Sequence, residues 1–139
     1  ARTYQVFDAG SPALGDSAAA MLLEAAEAAI SARGAFTVAI SGGSIPKLLA
    51  PSLLAARETA RYAQWHIFLA DERYVPIEHA DSNLGEWRAR LLEQLPIPSA
   101  QVHALDVSLP LLTYGVKTFK NYYETCNGFN IYFWIFISL

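Results

Sequence analysis

Over residues 13–32 apolar side chains recur at helical spacing, with Leu14, Ala18, Met21, Leu22, Ala25 and Ala29 on one face and Glu24 and Glu27 off it. Gly34 stands where such a helix would end. The period then collapses. Phe36-Thr-Val-Ala-Ile40 is a short, nearly continuous apolar run, as expected of a strand buried on both faces of a parallel sheet. Ser41-Gly-Gly-Ser44 interrupts it, and a second helix is expected from about Ile45, with Ser44 as N-cap and Pro46 in the first turn. Pro51 should kink or shorten this helix and push Ala50 away from helical angles.

Trp65-His-Ile-Phe-Leu-Ala70 is a second apolar run and reads as the next strand, followed by the loop Asp71-Glu-Arg-Tyr-Val-Pro-Ile-Glu-His79. A third helix is expected near Asn83, with Leu84, Trp87, Leu91 and Leu95 as its apolar stripe. Asn83 and Glu86 have the spacing of a capping box, and Glu86 and Arg90 can pair one turn apart. Pro96 and Pro98 end it, and Gln101-Val-His-Ala-Leu105 is expected as a third strand. Helices alternating with buried strands imply an α/β fold around an open, mostly parallel sheet with right-handed crossovers.

Composition adds three constraints. The 139 residues are 53% hydrophobic and 17% charged, which is globular rather than disordered. A net charge of −3 with no basic block argues against nucleic acid or an anionic membrane as partner. A single cysteine, Cys126, excludes an internal disulfide and fits a reducing compartment; no secretory signal is visible at the N-terminus. Composition also divides the chain. Residues 1–110 hold 23 alanines and residues 111–139 none, while the latter hold nine of the 17 aromatics. The closing run from Phe129 to Leu139 is about half of the ~20 residues that cross a bilayer, and its β propensity without charge makes it an aggregation hazard where exposed.

Two loops carry the candidate chemistry. Gly42 and Gly43 let main-chain N–H groups approach a ligand, and the helix that follows adds unpaired donors and partial positive charge, so a phosphate is the natural guest. Lys47, near one turn into that helix, is expected to reach the same anion. The G-x-x-x-x-G-K-[ST] and G-x-G-x-x-G spacings are both absent. The second loop, Asp71-Glu72-Arg73, also leaves the end of a buried run, and in open α/β sheets ligands bind beyond the carboxyl ends of the strands. Arg73 offers a planar fork for phosphate or carboxylate; Asp71 is suited to orient a base, hold Arg73 or bind a sugar hydroxyl. His79 could cap the next helix or line the crevice, whereas His66 and His103 read as structural. No histidine or cysteine pair has metal-ligand spacing, so no metal site is expected.

These residues also form a family pattern. "FTVAISGGSIPK" (36–47), "DERYVPIEHADSN" (71–83) and "LLEQLPIPSAQVHAL" (91–105) resemble, in order, the 6-phosphogluconolactonases, over roughly residues 15–110. The D-E-R-x-V-P-x-x-H-x-x-S-N pattern is the most specific part; the related glucosamine-6-phosphate deaminases share the S-G-G-S loop but typically not this form of the second motif. The resemblance implies a Rossmann-like fold, a cytoplasmic enzyme of the pentose phosphate pathway without metal or cofactor, and a sugar-phosphate lactone as substrate. It would hydrolyse 6-phospho-D-glucono-1,5-lactone to 6-phosphogluconate. By position, Gly42, Gly43 and Ser44 match the phosphate-side loop, and Asp71 and Arg73 the active-site aspartate and arginine.

The reaction is acyl transfer to water, needing a base and donors for an oxyanion. Arg73 would serve either the phosphate or that oxyanion. The family's general base is a histidine in a downstream G-x-G-x-D-G-H-type motif, which these 139 residues do not contain. The resemblance stops near Pro110, so residues 1–110 are expected to be the N-terminal part of the family domain and 111–139 a tail unlike it. A truncated chain of this kind would be weakly active or inactive. Two other functions fit the same residues: a lactonase-like protein that binds sugar phosphate without turnover, and a glucosamine-6-phosphate isomerase or deaminase.

Overall fold

The computed structural model describes residues 12–104 and residue 106; Cys126, Leu105 and the tail from 111 to 139 lie outside the described residues. Helix α1 (Pro12–Arg33) leads to strand β1 (Phe36–Ile40) and helix α2 (Ile45–Ala55). A 3-10 turn (Tyr62–Gln64) then enters strand β2 (Trp65–Leu69), followed by helix α3 (Asn83–Arg90), further 3-10 turns at Leu92–Gln94 and Ser99–Gln101, and the short strand β3 (Val102–His103). The strands lie in the order β1-β2-β3, all parallel, with Phe36 opposite Trp65 and Ile40 opposite Leu69. This is the open parallel sheet expected from the alternation of helical stripes and apolar runs.

Strand alternation decides what each face carries. Phe36, Val38 and Ile40 of β1 and Trp65, Ile67 and Leu69 of β2 join the main core, together with Ala19, Leu22 and Ala26 of α1, Leu49 and Leu53 of α2, and Leu84 and Trp87 of α3. Ala39, Phe68 and Ala70 form a second, small cluster. Truncating a fully buried member of the main core such as Leu49 would cost ~2–5 kcal/mol.

The stripe of α1 is displaced from the one expected. Ala19, Leu22, Ala26, Ala29 and Ile30 are buried, Leu14, Ala18 and Ala25 are half-buried, and Met21 is 47% exposed. Residues 18–23 are apolar without a break, so the periodicity there defines a helix but leaves its rotation open. Gly34 closes α1 as expected, its N–H reaching the Ile30 carbonyl at 2.8 Å.

Pro51 does not shorten α2, which continues through it to Ala55 with Ala50 inside the helix. The carbonyl that loses its partner is that of Lys47, an exposed position where water can replace the missing N–H, and the Pro51 ring itself is exposed. In the last turn of α2 the Leu53 carbonyl accepts a 2.7 Å bond from the buried Tyr62 hydroxyl, whose pKa burial pushes up to about 12.

The third helix ends earlier than its apolar stripe. Leu91 leaves helical angles, with φ −142°, and Leu92–Gln94 form a separate 3-10 turn that still delivers Leu91, Leu92 and Leu95 to the core. Of the expected third strand, Leu105 lies outside the described residues; among Gln101–Ala104, Val102 and His103 pair with β2, and Gln101 closes the preceding 3-10 turn.

His66 and His103 sit on neighbouring strands in a structural setting, as anticipated. Their Nδ1 and Nε2 atoms lie 3.3 Å apart, and the His103 ring stacks on Phe68 with centroids at 4.0 Å. Burial, and secondarily the charge His66 would carry, lower the pKa of His103 from its ordinary value.

Candidate active site

The carboxyl ends of β1 and β2 are adjacent, and the register continues one step beyond the strands, with Ala70 N–H donating to the Ile40 carbonyl at 2.8 Å. The Ser41–Ser44 loop and the Asp71–Ser82 loop therefore leave the sheet side by side. Helix α3 bridges them. Its Trp87, 1% exposed, donates from Nε1 to the Ser41 carbonyl at 2.8 Å. Its first residue, Asn83, donates from Nδ2 to the Asp71 carbonyl at 3.0 Å and to Asp71 Oδ2 at 3.1 Å. Two oxygen acceptors identify the NH₂ end of that amide, so Oδ1 is the end directed to the glycine loop.

Gly42 and Gly43 are required for different reasons. A Cβ on Gly42 would lie 1.8 Å from Asn83 Oδ1, so no side chain fits while that amide is in place. Gly43 has φ +69°, in the left-handed region, with open space where a Cβ would project. The loop thus presents its backbone on the Gly43 side.

The two helix N-termini differ. Ser44 occupies the N-cap of α2 as expected and its carbonyl accepts from Leu48 N–H, but its side chain makes no capping bond; its own backbone is already helical (φ −81°, ψ −12°), which turns the hydroxyl away from that role. At α3 the cap is Ser82 rather than Asn83: Ser82 Oγ accepts from Gly85 N–H at 3.0 Å. Asn83 is drawn away by Asp71, so the expected Asn83/Glu86 capping box does not form. The Glu86–Arg90 ion pair does.

The sequence reading overlooked Glu72. Its carboxylate accepts from Asn83 N–H at 2.7 Å, Leu84 N–H at 2.8 Å, Arg73 N–H at 2.8 Å and Ser82 Oγ at 3.3 Å. It thereby fills the positive end of α3 and folds the loop back on itself. The only signal available was a carboxylate within a motif that also contains Ser82 and Asn83, since the partners at the start of α3 are ten to twelve residues away.

The side chains of the remaining expected residues, Lys47 in the first turn of α2 and Arg73 and His79 on the second loop, are not drawn into this network. Lys47 and Arg73 are exposed, and among the described residues no ion pair engages either side chain. Asp71 therefore holds Asn83 rather than Arg73. His79 is exposed and serves its own turn: Nδ1 accepts from Asp81 N–H at 3.1 Å and lies 3.7 Å from the Asp81 carboxylate. No group of three potential metal ligands occurs among the described residues, and none of the described helices is long and apolar enough to cross a membrane. The arrangement offers a backbone loop, a serine hydroxyl and two cations facing solvent, beside an oriented aspartate.

Residues 10–125 match the family described as glucosamine-6-phosphate isomerases/6-phosphogluconolactonase. A rat 6-phosphogluconolactonase is 43% identical over 82 residues, covering 57% of this chain and 32% of its own length. A rice (Oryza sativa) 6-phosphogluconolactonase named as chloroplastic is 41% identical over 103 residues, 70% of this chain and 29% of its own. The crystal structure of 6-phosphogluconolactonase from Thermotoga maritima superposes with a TM-score of 0.68 at 27% identity, covering 80% of this chain and 50% of that one. The chain thus spans about a third of the length of these curated relatives, and its described part has the Rossmann-like α/β fold of the solved one. On a match covering most of its length, this chain belongs to the glucosamine-6-phosphate isomerase/6-phosphogluconolactonase family.

Proposed function

We propose that the site serves hydrolysis of 6-phospho-D-glucono-1,5-lactone to 6-phosphogluconate, the lactonase step of the pentose phosphate pathway. The observation that carries this reading is the pairing of an open S-G-G-S loop with the D-E-R-x-V-P loop at adjacent strand ends, in a chain of this family. Gly42, Gly43, Ser44 and Lys47 would hold the phosphate through backbone N–H groups, a hydroxyl and an ammonium. Asp71 and Arg73 would act on the lactone side, Arg73 meeting either the phosphate or the oxyanion that forms when water attacks C1. His79 would line the crevice. No cofactor or metal takes part.

The 139 residues contain no G-x-G-x-D-G-H-type motif, so on this reading they bind the sugar phosphate and turn the lactone over slowly or not at all. Loss of a general base typically costs ~10²–10⁴ in rate. For these 139 residues taken alone, a second reading is a lactonase-like unit that binds sugar phosphate without turnover. The division into a family part (1–110) and a tail (111–139) belongs to this proposal; the family match runs on to residue 125 and does not itself mark a break at 110. The proposed compartment is the cytoplasm, against the chloroplast named for the rice relative, and organelle fractionation separates the two.

The test is 6-phosphogluconate formation by the purified chain against spontaneous hydrolysis, with Arg73→Ala alongside and circular dichroism to verify folding. A rate at background from a folded chain supports a site without its base. A clear excess abolished by Arg73→Ala would show that another residue, with His79 first to be tested, supplies the base. Ammonia release from glucosamine-6-phosphate would instead move the assignment to the deaminases.

A further inference from the structure

Asn83 is where the two loops are joined, and its position is fixed from three directions. Its backbone N–H is held by Glu72 at 2.7 Å, its Nδ2 by two oxygens of Asp71, and its Oδ1 stands in the space a Gly42 side chain would take. It is 7% exposed, and it opens a helix whose Trp87 is bonded to the Ser41 carbonyl. A buried amide that has both donors satisfied by one loop and its oxygen packed on the other behaves as a spacer of fixed length.

We propose that Asn83 is a positioning residue: its amide sets the separation of the glycine loop from the Asp71 loop and turns the Asp71 carboxylate by holding Oδ2, leaving Oδ1 for a bound molecule. Gly42 is then a glycine because of Asn83, whereas Gly43 is one because of its backbone angle. This assigns different causes to two adjacent glycines that a phosphate-loop reading treats alike. The ligand arm of the test below rests on the sugar-phosphate reading; the other two arms do not.

A double-mutant cycle on the full 139-residue chain reads the tie by thermal unfolding. Gly42→Ala alone should lower Tm by about 6 °C, because a well-packed polar side chain must be displaced. In an Asn83→Ala background the same change should cost no more than about a third of that, as nothing is left to displace. Gly43→Ala should cost the same in either background. Should Asn83→Ala fail to fold, Asn83→Ser vacates the same space and keeps a hydroxyl. Additive costs for Gly42→Ala overturn the proposal.

Two further readouts distinguish positioning from plain stability. Without ligand, Asn83→Ser should shift the ¹H-¹⁵N resonances of both 42–44 and 71–73; changes confined to 81–85 overturn the proposal. With 6-phosphogluconate as the probe, Asn83→Ser should weaken binding about tenfold at a temperature where the variant is fully folded, and unchanged affinity overturns it. If the wild-type chain does not bind 6-phosphogluconate, the sugar-phosphate reading falls, and the cycle and the spectrum still decide whether Asn83 sets the loops.

Discussion

The N-termini of α2 and α3 start from similar sequence and end in opposite states. Each follows a parallel strand and a loop, and each has a serine at the N-cap, Ser44 and Ser82. Ser82 is buried, its hydroxyl bonds Gly85 N–H, and a carboxylate from the same loop covers the first N–H groups of α3. Ser44 is exposed, its hydroxyl caps nothing, and no carboxylate of the described residues is bonded to the first turn of α2. An internal anion already occupies one helix end, and the other is open to an external one. A serine before a helix is thus equally a cap and a ligand-side hydroxyl, and what decides is whether the chain supplies its own acid.

The comparison breaks first at Glu72. Glu72→Ala removes the acceptor for two helix N–H groups, one loop N–H and a serine hydroxyl at once, and should destabilise the chain by about 3 kcal/mol in urea unfolding. Glu72→Gln, which keeps an oxygen but loses the charge, should cost less. A loss below about 0.5 kcal/mol for the alanine variant would mean that the acid does not hold the loop.

The two serines sharpen the contrast. Ser82→Ala should cost ~1 kcal/mol as an ordinary cap deletion, while Ser44→Ala should stay within ~0.5 kcal/mol because no bond is lost. Equal costs in the same denaturant series would contradict the geometry.

Much of this fold can be read in the chain, for identifiable reasons. The bounds of β1 and the start of β2 follow from apolar runs closed by Gly42-Gly43 and by Asp71, because strands this buried admit few polar residues, here only the half-buried Thr37 and His66, whereas their ends must turn into polar loops. The rotation of α1 does not follow, since residues 18–23 are apolar all round. The end of α3 is hidden for a related reason: Leu91 and Leu95 continue the stripe in sequence but reach the core from a 3-10 turn. At the site, both loops and their glycines were legible as backbone features. The ties between them were not, because Glu72, Asn83 and Trp87 act across 11, 12 and 46 residues, and their partners emerge only when the strand ends are brought side by side.

The smallest effect expected lies away from the loops. His103 has its pKa lowered in the folded chain, so the unfolded chain binds more protons as pH falls through the ordinary histidine value near 6.5. Stability is complete above that value and declines slightly as the pH drops below it. His103→Gln should flatten the decline in Tm between pH 7 and 5, and a profile unchanged by this substitution would assign the pH dependence to other groups.

The most direct test of the open-versus-filled contrast is a ¹H-¹⁵N titration of the folded chain with 6-phosphogluconate. The account predicts saturable shifts at Gly43, Ser44 and Lys47, with the Asn83 and Leu84 amides, already bonded to Glu72, moving least. Shifts centred on Asn83 and Leu84, or none at Gly43 and Ser44, would contradict it.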